Sequence, residues 1–221
     1  RIRDGDDIGW LIRANTRSTM SFYSSHGAAY VMRVDEVPST TGYGEPLQRH
    51  FSFDDGEKVV GVISNDERHA ITLPEGTEID PEMPPPPYPI AITIKGKSLR
   101  FSQDTHKDVS TRNGRKYARL GGGDSVIAVY QSDGTEHICL ATRRGRTLIF
   151  PVGDVGVLKS SGKGTMGIKL RPEDRVMAFE LANSSLEGPT VITAQGRELV
   201  VRERKFGIAK RAGRGKVVLK R

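Results

Sequence analysis

A short motif recurs four times along this chain and constrains its fold more than any other feature. Each copy contains a Ser or Thr, two further residues, a Gly, and then a segment rich in alternating apolar residues. The four glycines, called anchor glycines below, are Gly27, Gly96, Gly145 and Gly196, with spacings of 69, 49 and 51 residues. Self-similarity of this kind is typical of repeat proteins, in which each copy forms one small unit that stacks on its neighbours.

A second marker runs in phase with the first. It is an acidic residue, one further residue, and then a β-branched residue, and its copies begin at Asp6, Glu57, Asp124 and Asp174 with spacings of 51, 67 and 50 residues. Because two separate markers share the same long second interval, we interpret the chain as about four repeats. The acidic position recurs at one strand start in each copy, so we expect it to be structural rather than catalytic.

The long interval coincides with a proline-rich segment, residues 74–89, which contains seven prolines. Proline lacks the N–H that a central strand needs, so the segment is predicted to be a loop or a polyproline II excursion. An interdomain linker is the alternative, because proline-rich spacers also connect domains. The repeat resumes in register directly afterwards, which favours an insertion within a single domain covering residues 1–221.

The repeats predict an all-β, propeller-like domain of about four blades. Helical periodicity is not sustained over three turns anywhere, and Gly and Pro punctuate short strand-like runs. The fourth repeat lacks a last pair of strands, and residues 6–15 look like an orphan copy of that pair. We therefore expect N-terminal strands to complete the final blade and close the ring, with Trp10 in the core.

The composition excludes several classes of protein. The one cysteine, Cys139, cannot form an internal disulfide, and its apolar neighbours predict a buried thiol. The five histidines show no metal-ligand spacing, so neither a metal nor another cofactor is expected. No apolar run is long enough to span a membrane. The first residue is Arg1 rather than Met, as expected of a segment cut from a longer chain.

The chain is strongly basic, with a formal net charge of +7 and a pI of about 9.6. Such a balance favours an anionic polymer as partner, although many domains are basic without binding one. Here the cations recur near Gly-rich turns, which allow a phosphate backbone to approach and expose N–H groups to it. The predicted DNA-binding residues are Lys97, Arg115, Lys116, Arg143, Arg144, Arg146, Lys159, Lys163, Arg197, Lys210, Arg211, Arg214 and Lys216.

These repeats resemble those of the C-terminal domain of the A subunit of bacterial DNA gyrase and topoisomerase IV. The family pattern combines a T-x-x-G-R turn, a strand, a Gly-rich basic turn, and an acidic residue shortly before Val. Residues 142–179 carry all of it, and the resemblance extends over nearly the whole chain. It implies a β-pinwheel, which is a propeller whose blades exchange strands, and a role in binding double-stranded DNA around the rim and bending or wrapping it.

The gyrase members of this family carry a QRRGGKG heptad that is needed for wrapping. Residues 209–215 keep its basic pair, one Gly, the second basic residue and the final Gly, but depart from it at Ala209 and Ala212. This degenerate heptad leaves gyrase and topoisomerase IV both open.

The resemblance also implies partners. We expect a module with no catalytic residue of its own, which works with the ATPase B subunit, and with the catalytic core of the same A subunit. Together these form an ATP-dependent type II DNA topoisomerase in the bacterial cytoplasm, at the nucleoid. The alternative is a protein-interaction β-propeller scaffold that does not bind DNA.

Overall fold

The computed structural model describes residues 4–218. This part of the chain contains fifteen strands and a single α-helix of four residues, so no helix in it could cross a lipid bilayer. The elements are β1 Thr19–Ser24, β2 Ala28–Arg33, β3 Val59–Ser64, β4 Ile90–Thr93, β5 Lys97–Phe101, β6 Arg115–Lys116, β7 Val126–Tyr130, β8 His137–Thr142, β9 Arg146–Pro151, β10 Val157–Leu158, β11 Thr165–Met166, β12 Val176–Ala182, β13 Thr190–Ile192, β14 Glu198–Val200, α1 Glu203–Phe206 and β15 Lys216–Val217.

Three sheets share one plan, and a two-stranded hairpin, β13–β14, follows them. In each sheet the central hairpin is β1–β2, β4–β5 or β8–β9. On one side it pairs with the third strand of its own repeat, which is β3, β7 or β12. On the other side it pairs with strands from the following repeat, which are β6, β10 with β11, or β15. Adjacent repeats therefore exchange strands, as in a β-pinwheel.

The exchanged strands lie on the outside. Strand β7 contacts both β3 and β12, so the third strands of the three sheets follow one another along the inner side. The exchanged strands occupy the opposite edge of each sheet. They therefore form an outer rim that passes from one repeat to the next.

Three of the four apolar clusters of the described chain lie between neighbouring sheets, and the fourth lies within the first repeat. Ile90 of the second sheet and Phe150 of the third, both fully buried, belong to one cluster. Tyr23 of the first sheet and Leu99 of the second belong to another. Cys139 packs between the third sheet and the fourth hairpin, and burial raises the pKa of its thiol to about 12, which confirms the predicted buried thiol. Neighbouring repeats therefore depend on one another to bury these shared faces.

The Ser/Thr-x-x-Gly motif forms the hairpin turn of every repeat. The hydroxyl of its first residue accepts a hydrogen bond from the backbone N–H four residues later, in the pairs Ser24–Ala28, Thr93–Lys97, Thr142–Arg146 and Thr193–Arg197. The anchor glycines have φ between +69° and +82°, a conformation that residues with a Cβ rarely adopt.

In the second and third repeats the acidic marker secures the same turn. Oδ1 of Asp124 accepts the N–H of Lys95, and Oδ1 of Asp174 accepts the N–H of Arg144. These two carboxylates therefore hold the hairpin turn of their own repeat, which confirms the predicted structural role at Asp124 and Asp174. Glu57 accepts hydrogen bonds from Tyr30 and Asp54 instead, and Asp6 does not directly precede a strand.

The anchor glycine of the second repeat, Gly96, also leaves room for the following repeat to pack against it. The carbonyl of Gly96 accepts hydrogen bonds from the N–H groups of Gly167 and Ile168, at 2.8 and 3.2 Å. A Cβ on Gly96 would lie 2.8 Å from Cγ2 of Ile168 and 2.9 Å from its carbonyl oxygen. At Gly196, by contrast, no heavy atom of the described chain lies within 4 Å of the equivalent position.

The predicted closure by N-terminal strands is wrong. Residues 4–18 contain no strand, and the side chains of Ile8, Trp10 and Leu11 are 71%, 45% and 95% exposed, so Trp10 is not in the core. The physical reason is a hydrogen bond in the residues just before β1. The N–H of Asn15 donates to Oδ2 of Asp66 at 2.7 Å, and this bond holds the segment beside the first repeat rather than the fourth.

The proline-rich segment contains no strand and leads directly into β4. Its final residues are bonded to the second repeat, because the N–H groups of Gln103 and Phe101 donate to the carbonyls of Pro87 and Pro89, at 3.0 and 3.3 Å.

Candidate nucleic-acid interface

Three Gly-containing turns lead into the exchanged strands of the outer rim. These exchange turns are residues 111–114, 159–164 and 210–215. Their last glycines, Gly114, Gly164 and Gly215, have φ between +66° and +69°. A Cβ at any of them would lie 2.6 to 2.8 Å from a backbone oxygen of the preceding repeat. The glycines therefore allow each turn to lie directly against the neighbouring sheet.

Consecutive exchange turns are joined by main-chain hydrogen bonds. The N–H of Arg119, shortly after β6, donates to the carbonyl of Gly162 at 2.8 Å. The N–H of Lys169, shortly after β11, donates to the carbonyl of Gly213 at 2.8 Å. The three turns and the strands that follow them thus form one continuous surface, which we call the basic belt (residues 111–119, 159–169 and 210–217).

Most predicted DNA-binding residues of the belt present their side chains to solvent. The exposed members are Arg115, Lys116, Lys159, Lys163, Lys210, Arg214 and Lys216. Three of them have partners within the chain: Arg115 donates from Nη1 to the carbonyl of Thr105 at 3.1 Å, Lys159 lies 3.7 Å from Glu82, and Lys216 donates to the carbonyl of Phe206. Exposed cations along a rim suit contacts with phosphate groups, which carry no sequence information.

Two predicted residues hold the belt in place instead. Arg211 donates from Nε to the carbonyl of Asp154 at 2.8 Å and from Nη1 to that of Met166 at 2.7 Å. Arg146 donates from Nη1 to the carbonyls of Arg214 and Gly215, at 3.1 and 2.9 Å. Both arginines are only partly exposed, so they fasten the third exchange turn to the third repeat.

The remaining predicted residues lie at the hairpin turns. Lys97 begins β5 and pairs with Met166 of the belt. Arg143 and Arg144 lie beside an acidic turn, and Nη2 of Arg144 is 3.3 Å from Glu173. Arg197 is exposed in the turn between β13 and β14. The structure therefore divides the predicted set into a belt group and a hairpin-turn group.

Three exposed cations of the belt are absent from the predicted set: Arg112, Arg119 and Lys169. Arg119 reaches between two exchange turns, because its Nε donates to Oγ of Ser161 at 3.2 Å. The sequence does contain a signal for two of them. Arg119 and Lys169 each follow the last glycine of an exchange turn by five residues.

The degenerate heptad, residues 209–215, forms the third exchange turn. Ala212 has φ +64°, a left-handed conformation that glycine adopts more readily, and this is one of the positions where the family pattern has Gly. Its N–H donates to the carbonyl of Gly167 at 2.7 Å. The turn is therefore formed despite the substitution.

The fold brings together one group of possible metal ligands that lie too far apart in sequence for a spacing argument. Nδ1 of His26 is 3.7 Å from Oδ2 of Asp54, and Glu57 lies beside them. The Glu57 carboxylate already accepts the hydroxyl of Tyr30 at 3.1 Å and the N–H of Asp54 at 2.8 Å. These hydrogen bonds account for its position, so we assign no metal role to this group.

A buried histidine lies beneath the belt. His106 ends a short 3-10 helix, Asp104–His106, and is 5% exposed among the rings of Tyr23, Phe101 and Tyr117. Burial, and to a smaller extent the positive charge of Arg115, lower the pKa of His106 to about 4.

This lowered pKa predicts a loss of stability in mild acid. An unfolded histidine takes up its proton near pH 6.5, whereas folded His106 stays neutral until about pH 4, so its contribution is complete above pH 6.5 and declines as the pH falls to 4. We expect the free energy of unfolding to fall by about 2 to 3 kcal/mol across this window from His106 alone. Urea unfolding at several pH values would measure it. In His106→Gln this part of the pH dependence should vanish, and an unchanged slope would contradict the assignment.

Comparison with solved structures defines the class of fold. The C-terminal domain of DNA topoisomerase IV aligns with a TM-score of 0.79 over 93% of this chain and 59% of that chain, at 21% sequence identity. The C-terminal domain of E. coli ParC aligns with a TM-score of 0.72 over 98% and 83%, at 19% identity. The chain therefore has the β-pinwheel fold of these domains, and the predicted all-β, propeller-like class is confirmed.

Sequence comparison is more specific. The family model described as "DNA gyrase C-terminal domain, beta-propeller" matches residues 22–66 and 136–183. The DNA gyrase A subunit of Haloquadratum walsbyi is 29% identical over 180 residues, which is 80% of this chain and 20% of that protein. The gyrase A subunit of Aminobacterium colombiense is 22% identical over 219 residues, which is 99% of this chain and 25% of that protein. The predicted resemblance is confirmed: the chain is homologous to part of gyrase A subunits, and it spans a fifth to a quarter of their length.

Proposed function

We propose that this domain binds duplex DNA without sequence preference and bends or wraps it, as the C-terminal module of a type II DNA topoisomerase A subunit. Homology to gyrase A subunits supports a role within such a subunit. The observation that carries the DNA-binding proposal is the basic belt, in which exposed cations from three repeats follow one another along a single rim. Because the phosphates of duplex DNA form a dense line of negative charge, a line of cations on one rim is complementary to it.

The belt is suited to phosphates rather than to bases. Readers of base sequence commonly place a helix in the major groove, and the described chain has only the four-residue α1. The last glycines of the exchange turns pack against the preceding repeat, and their neighbours are flexible lysines and arginines that face solvent. The expected contacts therefore fix the path of the DNA without selecting its sequence.

The proposal extends to partners. The ATPase B subunit would supply ATP hydrolysis and the catalytic core of the same A subunit would supply strand passage, and the complex would act on the nucleoid in the bacterial cytoplasm. The third exchange turn is formed although Ala209 and Ala212 replace the family residues, so a wrapping role of either the gyrase or the topoisomerase IV kind is compatible with this chain.

The dependence of DNA affinity on salt tests the proposal directly. If the belt neutralises about 6 to 10 phosphates, the association constant should fall ~10³- to 10⁵-fold between 50 and 200 mM salt. Fluorescence anisotropy with labelled duplexes of unrelated sequence would measure both this slope and the lack of sequence preference. Absence of binding at 50 mM salt, or an affinity that ignores salt, would reject DNA binding and favour a protein-interaction scaffold.

A further inference from the structure

A small cavity opens on the basic belt where three parts of the chain meet. They are the 3-10 helix Asp104–His106, strand β6, and the second exchange turn. The cavity has a volume of about 200 Å³. At about 30 Å³ for each water molecule it has room for about six or seven waters, which suits a small anion and is below the volume of a typical cofactor site.

The lining of the cavity is cationic and rich in hydrogen-bond donors. Its polar members include Arg115, Lys116, Lys159, Ser160 and Ser161. None of its lining residues is acidic. One of them, Lys159, forms an ion pair with Glu82, and both side chains are largely exposed. Arg115 is fixed beside the cavity, because its Nη1 donates to the carbonyl of Thr105 at 3.1 Å.

His106 supplies an independent indication of a ligand. It lines the cavity, is 5% exposed, and has no hydrogen-bond partner for Nδ1 within the described chain. Buried polar groups are normally satisfied, so an unsatisfied ring nitrogen in a residue that lines a cationic cavity requires an explanation. The rings around it, Tyr23, Phe101 and Tyr117, offer it no hydrogen bond.

We propose that this cavity binds a single phosphate group, with Lys116 and Lys159 as its charged ligands and His106 at its wall. The inference rests on the proposed function in one respect, since a backbone phosphate of bound DNA is one source of the group and free inorganic phosphate is the other. An anchored phosphate at the junction of the first and second exchange turns would help to fix the position of the DNA on the belt. It would also place a compensating negative charge against Arg115 and the two lysines.

Nuclear magnetic resonance of the His106 ring tests this proposal. The groups that face the ring are Tyr23, Tyr117 and Arg115, with Asp104 on its own short helix. At pH 6, inorganic phosphate should shift the His106 resonances saturably and raise the pKa of the imidazole, whereas chloride at equal ionic strength should not. Duplex DNA should shift the same resonances. Lys116→Ala and Lys159→Ala should each weaken phosphate binding at least about tenfold, because each removes a charge-assisted hydrogen bond.

Lys58→Ala is the matched control, because it removes one exposed cation outside the belt and should leave phosphate binding unchanged. These lysine variants keep the test valid if a His106 variant fails to fold. Equal effects of phosphate and chloride, or of Lys58→Ala and Lys116→Ala, would overturn the proposal. DNA binding that leaves His106 unmoved would also overturn it while leaving the proposed function intact. Saturable phosphate binding with no DNA binding would reject the proposed function and retain the site for free phosphate.

Discussion

Gly96→Ala should lower the free energy of unfolding by about 3 kcal/mol. Two costs add at this position. The first is conformational, because Gly96 has φ +77°, which is unfavourable for Ala by about 1 to 2 kcal/mol. Its new Cβ would also lie under 3 Å from Ile168, a core residue that is 2% exposed, and overpacking of this kind costs about 1 to 3 kcal/mol. For a domain of this size the expected fall in melting temperature is about 6 to 12 °C. Thermal and urea unfolding would measure it.

Gly196→Ala is the matched control. Gly196 is the anchor glycine of the fourth repeat and has nearly the same φ, +78°, but no heavy atom of the described chain would contact the added Cβ. The expected loss is therefore only the conformational cost, about 1 to 2 kcal/mol. Equal losses in the two variants would show that the anchor glycines serve their own turns alone. The close docking of the third repeat on Gly96 would then contribute nothing measurable to stability.

The parts of the fold that could be predicted from sequence are those with local chemistry. A Ser or Thr whose hydroxyl accepts the N–H four residues later, followed by a glycine at positive φ, leaves a visible motif, and so does an aspartate that accepts N–H groups of the same turn. The exchanged strands leave almost none. Strand β6 is two residues long and pairs with Ala28 and Ala29, more than 80 residues earlier, so nothing in its own composition reveals its partner.

The N-terminal segment shows the limit of repeat logic. Residues 6–8 carry the acidic marker in phase, but no strand forms there, so the marker alone does not specify a strand. A contact outside the motif decides where the segment lies: Asn15 bonds to Asp66 of the first repeat. Such a bond between residues 51 positions apart is not visible in any local pattern.

The candidate site is predictable only in part, for a similar reason. Runs of cations identify the exchange turns, because several lysines and arginines lie next to glycine there. Isolated cations such as Arg119 and Lys169 share only their spacing of five residues from a glycine, and that spacing gains meaning once the structure shows that these residues contact the next exchange turn. Conversely, Arg211 lies in the densest basic run, yet its guanidinium is bonded to the carbonyls of Asp154 and Met166. Sequence shows where charge is concentrated, but the hydrogen bonds decide which charges remain available to a ligand.

Replacement of three exposed belt cations should have the largest effect on DNA binding. The test variant is Lys163→Ala/Lys210→Ala/Arg214→Ala. None of these three side chains makes an ion pair in the described structure, so the variant should still fold. Each lost phosphate contact reduces the salt slope by about 0.9, so the slope should fall by roughly 2 to 3 and the affinity at 50 mM salt by about 100-fold or more. DNA bending, measured by energy transfer between dyes at the duplex ends, should decrease in parallel.

The matched variant is Lys95→Ala/Arg143→Ala/Arg144→Ala, which also removes three positive charges, but from hairpin turns. There Arg144 is paired with Glu173, and the Lys95 amine donates to the carbonyl of Gly122. If the belt is the interface, this variant should keep most of the salt slope and the bending. If instead both triple variants lose affinity equally, DNA responds only to the overall charge of the domain, and the belt is not a defined interface. A greater loss in the hairpin-turn variant would place the DNA across the acidic turns, where Asp124 and Asp174 would repel it, so the physical argument predicts the opposite order.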